Sequence, residues 1–197
     1  MKIKNLLSAL WVIVVVAMLL AGCAAPAAQA PAAPAADSGA APAADAAKPY
    51  IPIISKGFQH QFWQAVKAGA EKAATEFNVD ITFEGPETEA MVDKQIEMLQ
   101  TALDKKPAAI CLAALDSKAV VPLLEKAKAA NIPVIGFDSG VDSDIPVTTA
   151  ATDNLAAAGT AADKMAELIG DEGEVAVIVH DQTSRTGIDR RDALSTA

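Results

Sequence analysis

Four polar clusters in this chain each follow an apolar run, and they hold the residues best equipped for recognition chemistry. Lys56, Gly57, Phe58, Gln59, His60, Gln61, Phe62 and Trp63 follow the run Tyr50 to Ser55. Asp116 and Ser117 follow Ala109 to Leu115, and Asp138, Ser139 and Gly140 follow Val134 to Phe137. The segment His180 to Arg190 follows Glu174 to Val179. Aromatic, amide, acidic and basic groups thus gather at one kind of junction. Aromatic faces cover the apolar side of a sugar ring, carboxylates accept from hydroxyls, and Arg donates in a fixed fork. The mixture suits a small polyhydroxylated ligand. Plainer readings stand beside this one. Trp63 also fits a core anchor at a helix start, Asp138 a turn carboxylate, Asp116 a simple helix cap and Arg190 a solvated helix residue. His60 and His180 are lone histidines far apart in sequence, which argues against a metal site.

The elements that must position these residues alternate. Tyr50 to Ser55 reads as a first strand, and Phe62, Val66, Ala70, Ala73 and Phe77 then recur at helical spacing. Asp80 to Glu84 alternates as a second strand, broken by Gly85-Pro86. Val92, Ile96, Leu99 and Leu103 mark a second helix, and Ala109 to Leu115 is a continuous buried strand. Asp116 or Ser117 caps a third helix carrying Val120, Leu123, Leu124 and Ala127, and Val134 to Phe137 is the fourth strand. Unbroken apolar strands separated by helices predict a parallel sheet covered on both faces, with right-handed crossovers. In such sheets ligands bind outside the carboxyl ends of the strands, where the clusters lie. Beyond this, Pro146 to Thr152 reads as extended. Asp153 or Asn154 caps an Ala-rich helix ending at Ile169-Gly170, Glu174 to Val179 reads as another buried strand, and a last helix follows. A second β-α-β unit is begun and not completed, so the sequence reads as the front part of a longer protein.

The acidic balance, 25 Asp plus Glu against 16 Lys plus Arg, comes with no basic cluster after Lys4. Nucleic acid is therefore not an expected partner, because neutralising phosphates needs clustered Lys and Arg. At the N-terminus, Lys2 and Lys4 precede an apolar run from Leu6 to Leu20, short for a membrane span. Leu20-Ala21-Gly22-Cys23 closes that run and resembles the lipobox of bacterial lipoproteins. The resemblance implies a signal peptide over residues 1–22, a lipidated Cys23 and anchoring at the outer face of a membrane. Residues 23–48 then form an Ala/Pro-rich tether that cannot bury enough apolar area to fold. The other cysteine, Cys111, sits in an apolar run and reads as a small core hydrophobe, with no disulfide framework.

Four segments carry a wider resemblance: GPETEAMVDKQIEMLQTAL from Gly85, AAICLAALDSKAVVPLLEKAKAANIPVIGFDSG from Ala108, TDN from Thr152, and HDQTSRTGIDRRD from His180. Together they are similar to the type I periplasmic sugar-binding proteins of ABC importers, the ribose-binding-like group. The resemblance covers about Tyr50 to Leu194 and implies a two-lobed α/β fold with parallel sheets flanked by helices. An N-terminal lobe would span 49–151, and only the start of a second lobe, 152–197, would be present. By position, the sugar-stacking aromatic pair falls on Phe62 and Trp63, and the first-loop contacts fall on Lys56 and His60. The acidic residue after the fourth strand falls on Asp138, with Ser139 beside it as a further expected ligand contact, and the Arg that forks onto the sugar falls on Arg190 and not Arg191. The chain departs from the ribose type at Lys56 and His60, where Ser and Asn are usual. It departs again at Ser139, where Arg often follows the acidic residue, and at Ala193, where Gly is usual.

The resemblance implies a monomeric, extracytoplasmic, lipid-anchored receptor that needs no cofactor. It would close on a monosaccharide or polyol like a hinge and deliver it to an ABC permease. A sensory receptor signalling to a chemotaxis or kinase partner is the alternative. An enzyme is less supported: the first loop lacks G-x-G-x-x-G, and no G-x-S-x-G elbow occurs. A sugar-responsive repressor would carry a basic helix-turn-helix where this chain has its export-type segment.

Overall fold

The computed structural model describes residues 47–196. The signal-like segment, Cys23 and nearly all of the Ala/Pro tether lie outside them. From Tyr50 the elements run β1 (Tyr50–Ile54), α1 (Gln61–Phe77), β2 (Asp80–Glu84), α2 (Val92–Asp104), β3 (Ile110–Leu112), α3 (Val121–Ala129), β4 (Val134–Phe137) and β5 (Thr148–Ala150). Two further helices follow, α4 (Asn154–Ile169) and α5 (Arg185–Thr196).

The five strands form one parallel sheet in the order β2-β1-β3-β4-β5. The chain steps outward from β1 to β2, then returns to place β3 on the other side of β1. That reversal opens a crevice between the carboxyl ends of β1 and β3. Pairing of β1 with β3 begins at Ile53, one residue past Pro52, which has no N–H to give.

Alternation along the strands sends residues to two different environments. Ile54, Ile110, Leu112 and Val134 face α2 and α3, where Leu99, Leu103, Val120 and Leu124 close a buried core. The opposite face carries Ile51, Ile53, Cys111, Ile135 and Phe137 under α1. There Val66, Ala70, Ala73 and Phe77 line an apolar hollow of about 470 Å³. Cys111 is half-buried at this hollow, and burial pushes its thiol pKa up, so it behaves as an inert hydrophobe.

Helix ends follow local chemistry. The His60 side chain caps α1 by accepting from the Phe62 N–H, and Asn78 ends that helix in the left-handed region. Asp153 caps α4 through the Ala156 N–H, and Gly170 ends it at φ 74°. Asp116 accepts from the N–H groups of Lys118 and Ala119, but this closes the turn before α3 rather than capping the helix. The helix begins at Val121 with Pro122 in its first turn and no side-chain cap.

One expected element is not formed. Residues 174–179 make no strand, and Val175, Val177 and Ile178 stay exposed, Ile178 at 97%. A parallel strand exists only through the ladder it shares with a neighbour. Among the described residues no strand runs beside this segment, so its apolar alternation has nothing to pair with.

The crevice itself is held by Gln95, an α2 residue only 1% exposed. Its Nε2 donates to the carbonyls of Ser55 and Ala113, both at 2.9 Å, and its Oε1 accepts from the Leu115 N–H at 2.9 Å. These are backbone groups that the diverging strands leave without ladder partners. Replacing the amide by a methionine leaves three buried groups unpaired, each costing about 1–3 kcal/mol. Gln95→Met is expected to lower the unfolding free energy by about 3 kcal/mol or more in urea denaturation. Gln100→Ala, on the exposed face of the same helix, is expected to change it by less than about 0.5 kcal/mol.

Candidate functional site

A cavity of about 330 Å³ opens at the carboxyl end of the sheet, lined by Lys56, His60, Phe62, Trp63, Glu89, Asp138, His180 and Arg190. Six of the seven binding residues expected from sequence meet here. They come from the loop after β1, the first turn of α1, the residue after β4 and helix α5. Ser139 does not line the cavity. It is fully buried, and its hydroxyl has no hydrogen-bond partner among the described residues. Its carbonyl accepts from the Ala114 N–H, so its role is to tie the β4 loop to the β3 end.

Lys56 lies at the floor and is 4% exposed. A buried ammonium needs acceptors for its three donors. It donates to Thr186 Oγ1 at 3.2 Å and lies 3.4 Å from Glu89 Oε2 and 3.5 Å from Asp138 Oδ2. One cation therefore sits between two carboxylates. Asp138 adopts φ 55°, a region Asp tolerates better than most residues. Its N–H donates to the Ala150 carbonyl, which aims the side chain back toward the β1 loop.

The two aromatic residues differ. Trp63 is 2% exposed while Phe62 is 47% exposed. Their rings meet edge to face, 4.8 Å between centroids at 76°, and Trp63 packs edge-on against Phe137 at 6.4 Å. The Trp63 Nε1–H donates to Glu89 Oε1 at 2.9 Å. Trp63 is thus both a core anchor and a cavity wall, and Phe62 presents the freer ring. Glu89 lies in the loop after β2, outside the four polar clusters that the sequence marks. That loop approaches β1 closely. A Cβ on Gly85 would sit 2.4 Å from Ser55 Oγ and 2.8 Å from the Gly57 carbonyl, so only glycine fits.

Arg190 is oriented by Asn154, whose Oδ1 accepts from Nε at 2.7 Å. By sequence either Asp153 or Asn154 could cap α4; in the structure Asp153 takes the cap and Asn154 holds the arginine. Among the described residues no carboxylate pairs with Arg190, which leaves its outer nitrogens able to donate into the cavity. Arg191 instead pairs with Asp192 at the surface, at 2.6 Å.

The loop after residue 180 is docked onto the β3 and β1 loops. The Ser117 N–H donates to the Thr183 carbonyl, and Thr183 Oγ1 donates to the Leu115 carbonyl. A hydrogen-bond chain runs from Lys56 to Thr186, from Thr186 Oγ1 to Ser184 Oγ at 3.0 Å, and from Ser184 Oγ to Asp181 Oδ2 at 2.6 Å. His180 Nε2 also contacts Asp181 Oδ2, at 2.8 Å. The carboxylate therefore stands between serine and histidine, and the imidazole cannot take the serine proton as a triad requires. Ser184 is moreover fully buried. Gly187 packs against this carboxylate so closely that a Cβ would lie 2.9 Å from Asp181 Oδ1. Among the described residues no group of three His, Cys, Asp or Glu is placed to hold a metal ion.

A family model described as "Periplasmic binding protein domain" matches residues 51–196. A "D-apiose import binding protein" of Actinobacillus succinogenes is 30% identical over 125 residues, covering 63% of this chain and 40% of that protein. A solved carbohydrate transporter solute binding protein from Agrobacterium radiobacter, in complex with D-arabinose, superposes with TM-score 0.72 at 34% identity. It covers 76% of this chain and 52% of the other. An ABC transporter solute binding protein from Agrobacterium vitis with bound D-fucose gives TM-score 0.71 at 35% identity, covering 74% and 52%. The chain thus spans about half, or less, of the length of the proteins it matches.

Burial works to raise the Asp181 pKa. Hydrogen bonds from the Ser184 hydroxyl and the Ser184 and Thr183 N–H groups, with the His180 contact, outweigh it and hold the carboxyl below its ordinary 3.8. A carboxyl lowered by folding stabilises the fold above its unfolded value, and that contribution fades as pH falls through the folded value. Asp181→Asn is therefore expected to melt below wild type at pH 7. The gap should narrow once pH drops below 3.8, as read by thermal melts across pH.

Proposed function

The chain belongs to the periplasmic binding protein domain family, and from that premise we propose that the protein is an extracytoplasmic solute receptor for a monosaccharide or similar polyol. The observation that carries this is the meeting of Lys56, His60, Phe62, Trp63, Asp138 and Arg190 around one cavity of about 330 Å³. A sugar needs an apolar surface for its C–H face and charged partners for its hydroxyls. Phe62 supplies the exposed ring, Asp138 accepts from hydroxyls, and Arg190 donates from the opposite wall. The sugars named for the similar proteins support this class of ligand.

In this reading residues 49–151 form the first lobe and 152–197 begin the second. Hinge closure brings Arg190 and His180 onto a ligand already held by the first lobe. The closed form presents the surface that an ABC permease reads. Residues 1–22 direct export, and acylated Cys23 anchors a monomeric receptor through the Ala/Pro tether. The role is binding without turnover, consistent with a Ser184 hydroxyl committed to a carboxylate.

Calorimetric titration of the full-length protein with pentoses, hexoses and cyclitols tests the proposal. Binding of at least one is expected, and no heat with any of them would sink it. Asp138→Asn and Arg190→Ala are each expected to weaken the preferred sugar about tenfold or more, since each removes a charge-assisted hydrogen bond. Arg191→Ala is expected to leave affinity within about twofold, as surface changes generally do.

A further inference from the structure

Glu89 is a cavity residue whose structural contacts, with Trp63 and Lys56, use only part of its acceptor capacity. Its Oε1 accepts from Trp63 Nε1 at 2.9 Å, and its Oε2 lies 3.4 Å from Lys56 Nζ. Holding an indole N–H takes a single neutral acceptor, and an amide would serve. Here the acceptor is a full carboxylate. It keeps 40% side-chain exposure beside a Lys56 that keeps 4% and a Trp63 that keeps 2%. All three line the cavity, and Glu89 is the most exposed of them.

Its acceptor capacity is not used up. A carboxylate offers about four lone-pair sites. One goes to Trp63 and one faces Lys56, so about half remain on a group lining the cavity. Asp138 Oδ2 stands on the same ammonium at 3.5 Å, which makes the two carboxylates close neighbours bridged by one cation. That shared cation offsets their mutual repulsion and fixes their spacing. Arg190, on the α5 side, supplies donors instead.

The geometry points to Glu89 as a ligand-contacting, specificity-determining residue. With Asp138 across Lys56 it forms a carboxylate pair that accepts from two neighbouring hydroxyls on one face of a polyol. The inference rests on the reading of this cavity as a polyol site and adds which hydroxyl pattern it selects. Ligands lacking one of the two donors lose a charge-assisted hydrogen bond and leave a desolvated carboxylate oxygen unpaired, which is how polar sites discriminate strongly.

The test is calorimetry on the full-length wild type, Glu89→Gln and Glu89→Ala. The probes are D-arabinose, D-ribose, D-fucose, D-apiose, 2-deoxy-D-ribose and the cationic D-glucosamine. Glu89→Gln keeps an acceptor for Trp63 but gives up one of the partners of the buried Lys56, so its melting temperature should fall moderately while the fold persists through Asp138 and Thr186. It is expected to weaken the preferred sugar about tenfold or more and to reorder the panel. If Glu89→Gln binds like wild type and only Glu89→Ala is impaired, Glu89 merely holds Trp63 and the inference is overturned, while the receptor reading stands. Unchanged binding in both variants overturns it equally. If the wild type takes D-glucosamine but no neutral sugar, and does so through Glu89, the contact stands and the neutral-polyol reading falls. Binding of no probe by the wild type overturns both.

Discussion

Parallel strands that diverge leave backbone carbonyls and N–H groups with no neighbour at the point where a ligand crevice opens. Gln95 meets that constraint here. Its amide bonds the Ser55 and Ala113 carbonyls and the Leu115 N–H from inside the fold, so β1 and β3 separate without stranding buried polar groups. The loops after both strands start from these three residues. Lys56 follows Ser55 directly, and Asp116 follows Leu115. The positions of the cavity walls are therefore downstream of one buried side chain on α2, a residue that does not line the cavity.

Lys56 does for charge what Gln95 does for the backbone. A lysine this buried is costly unless its donors are met. Glu89, Asp138 and Thr186 meet them from three separate segments. The same ammonium keeps two carboxylates side by side at the cavity floor and reaches the chain that leads into α5. Through Thr186 and Ser184 it is connected to Asp181, the carboxylate that organises the loop below α5. The order of donors along this chain is fixed, because lysine only donates and an ionised Asp181 only accepts. Movement of α5 relative to the sheet must break or remake these contacts, which couples the donor wall carrying Arg190 to the acceptor floor.

Much of the sheet was legible because its signals are local. Asp80 to Glu84 and Val134 to Phe137 have the bounds expected from hydrophobic pattern and flanking breakers. Lys56, His60, Phe62, Trp63 and Asp138 line the cavity because a parallel sheet fixes where its carboxyl-end loops go, while Arg190 reaches it from α5, whose preceding loop docks on the β3 end. Less legible were features that depend on a partner distant in sequence. Glu89 carries no local mark; its place follows from Gly85 letting the β2 loop touch Ser55 and Gly57. Ser139 sits in the right loop but points into the fold, which the loop's sequence does not reveal. The apolar alternation of Glu174 to Val179 reads as a strand, yet pairing is a property of two segments, and among the described residues no strand lies beside it. Asp116 read as a helix cap but closes the preceding turn, because Pro122 lets α3 start later without a side-chain cap.

The sequence by itself determined the α/β class, the parallel sheet, the helix end at Gly170 and the set of loops able to carry a site. Periodicity, capping chemistry and breaker residues act within a few positions, so a linear reading captures them. The tertiary structure alone decided the burial of Lys56 between Glu89, Asp138 and Thr186, the inward turn of Ser139, the pairing of Arg190 with Asn154 and the role of Gln95 at the crevice. Those outcomes join residues 18 to 130 positions apart, as in Gln95 with Ala113 and Lys56 with Thr186. Hydrogen bonds and ion pairs depend on distance in space, and no spacing along the chain encodes that distance.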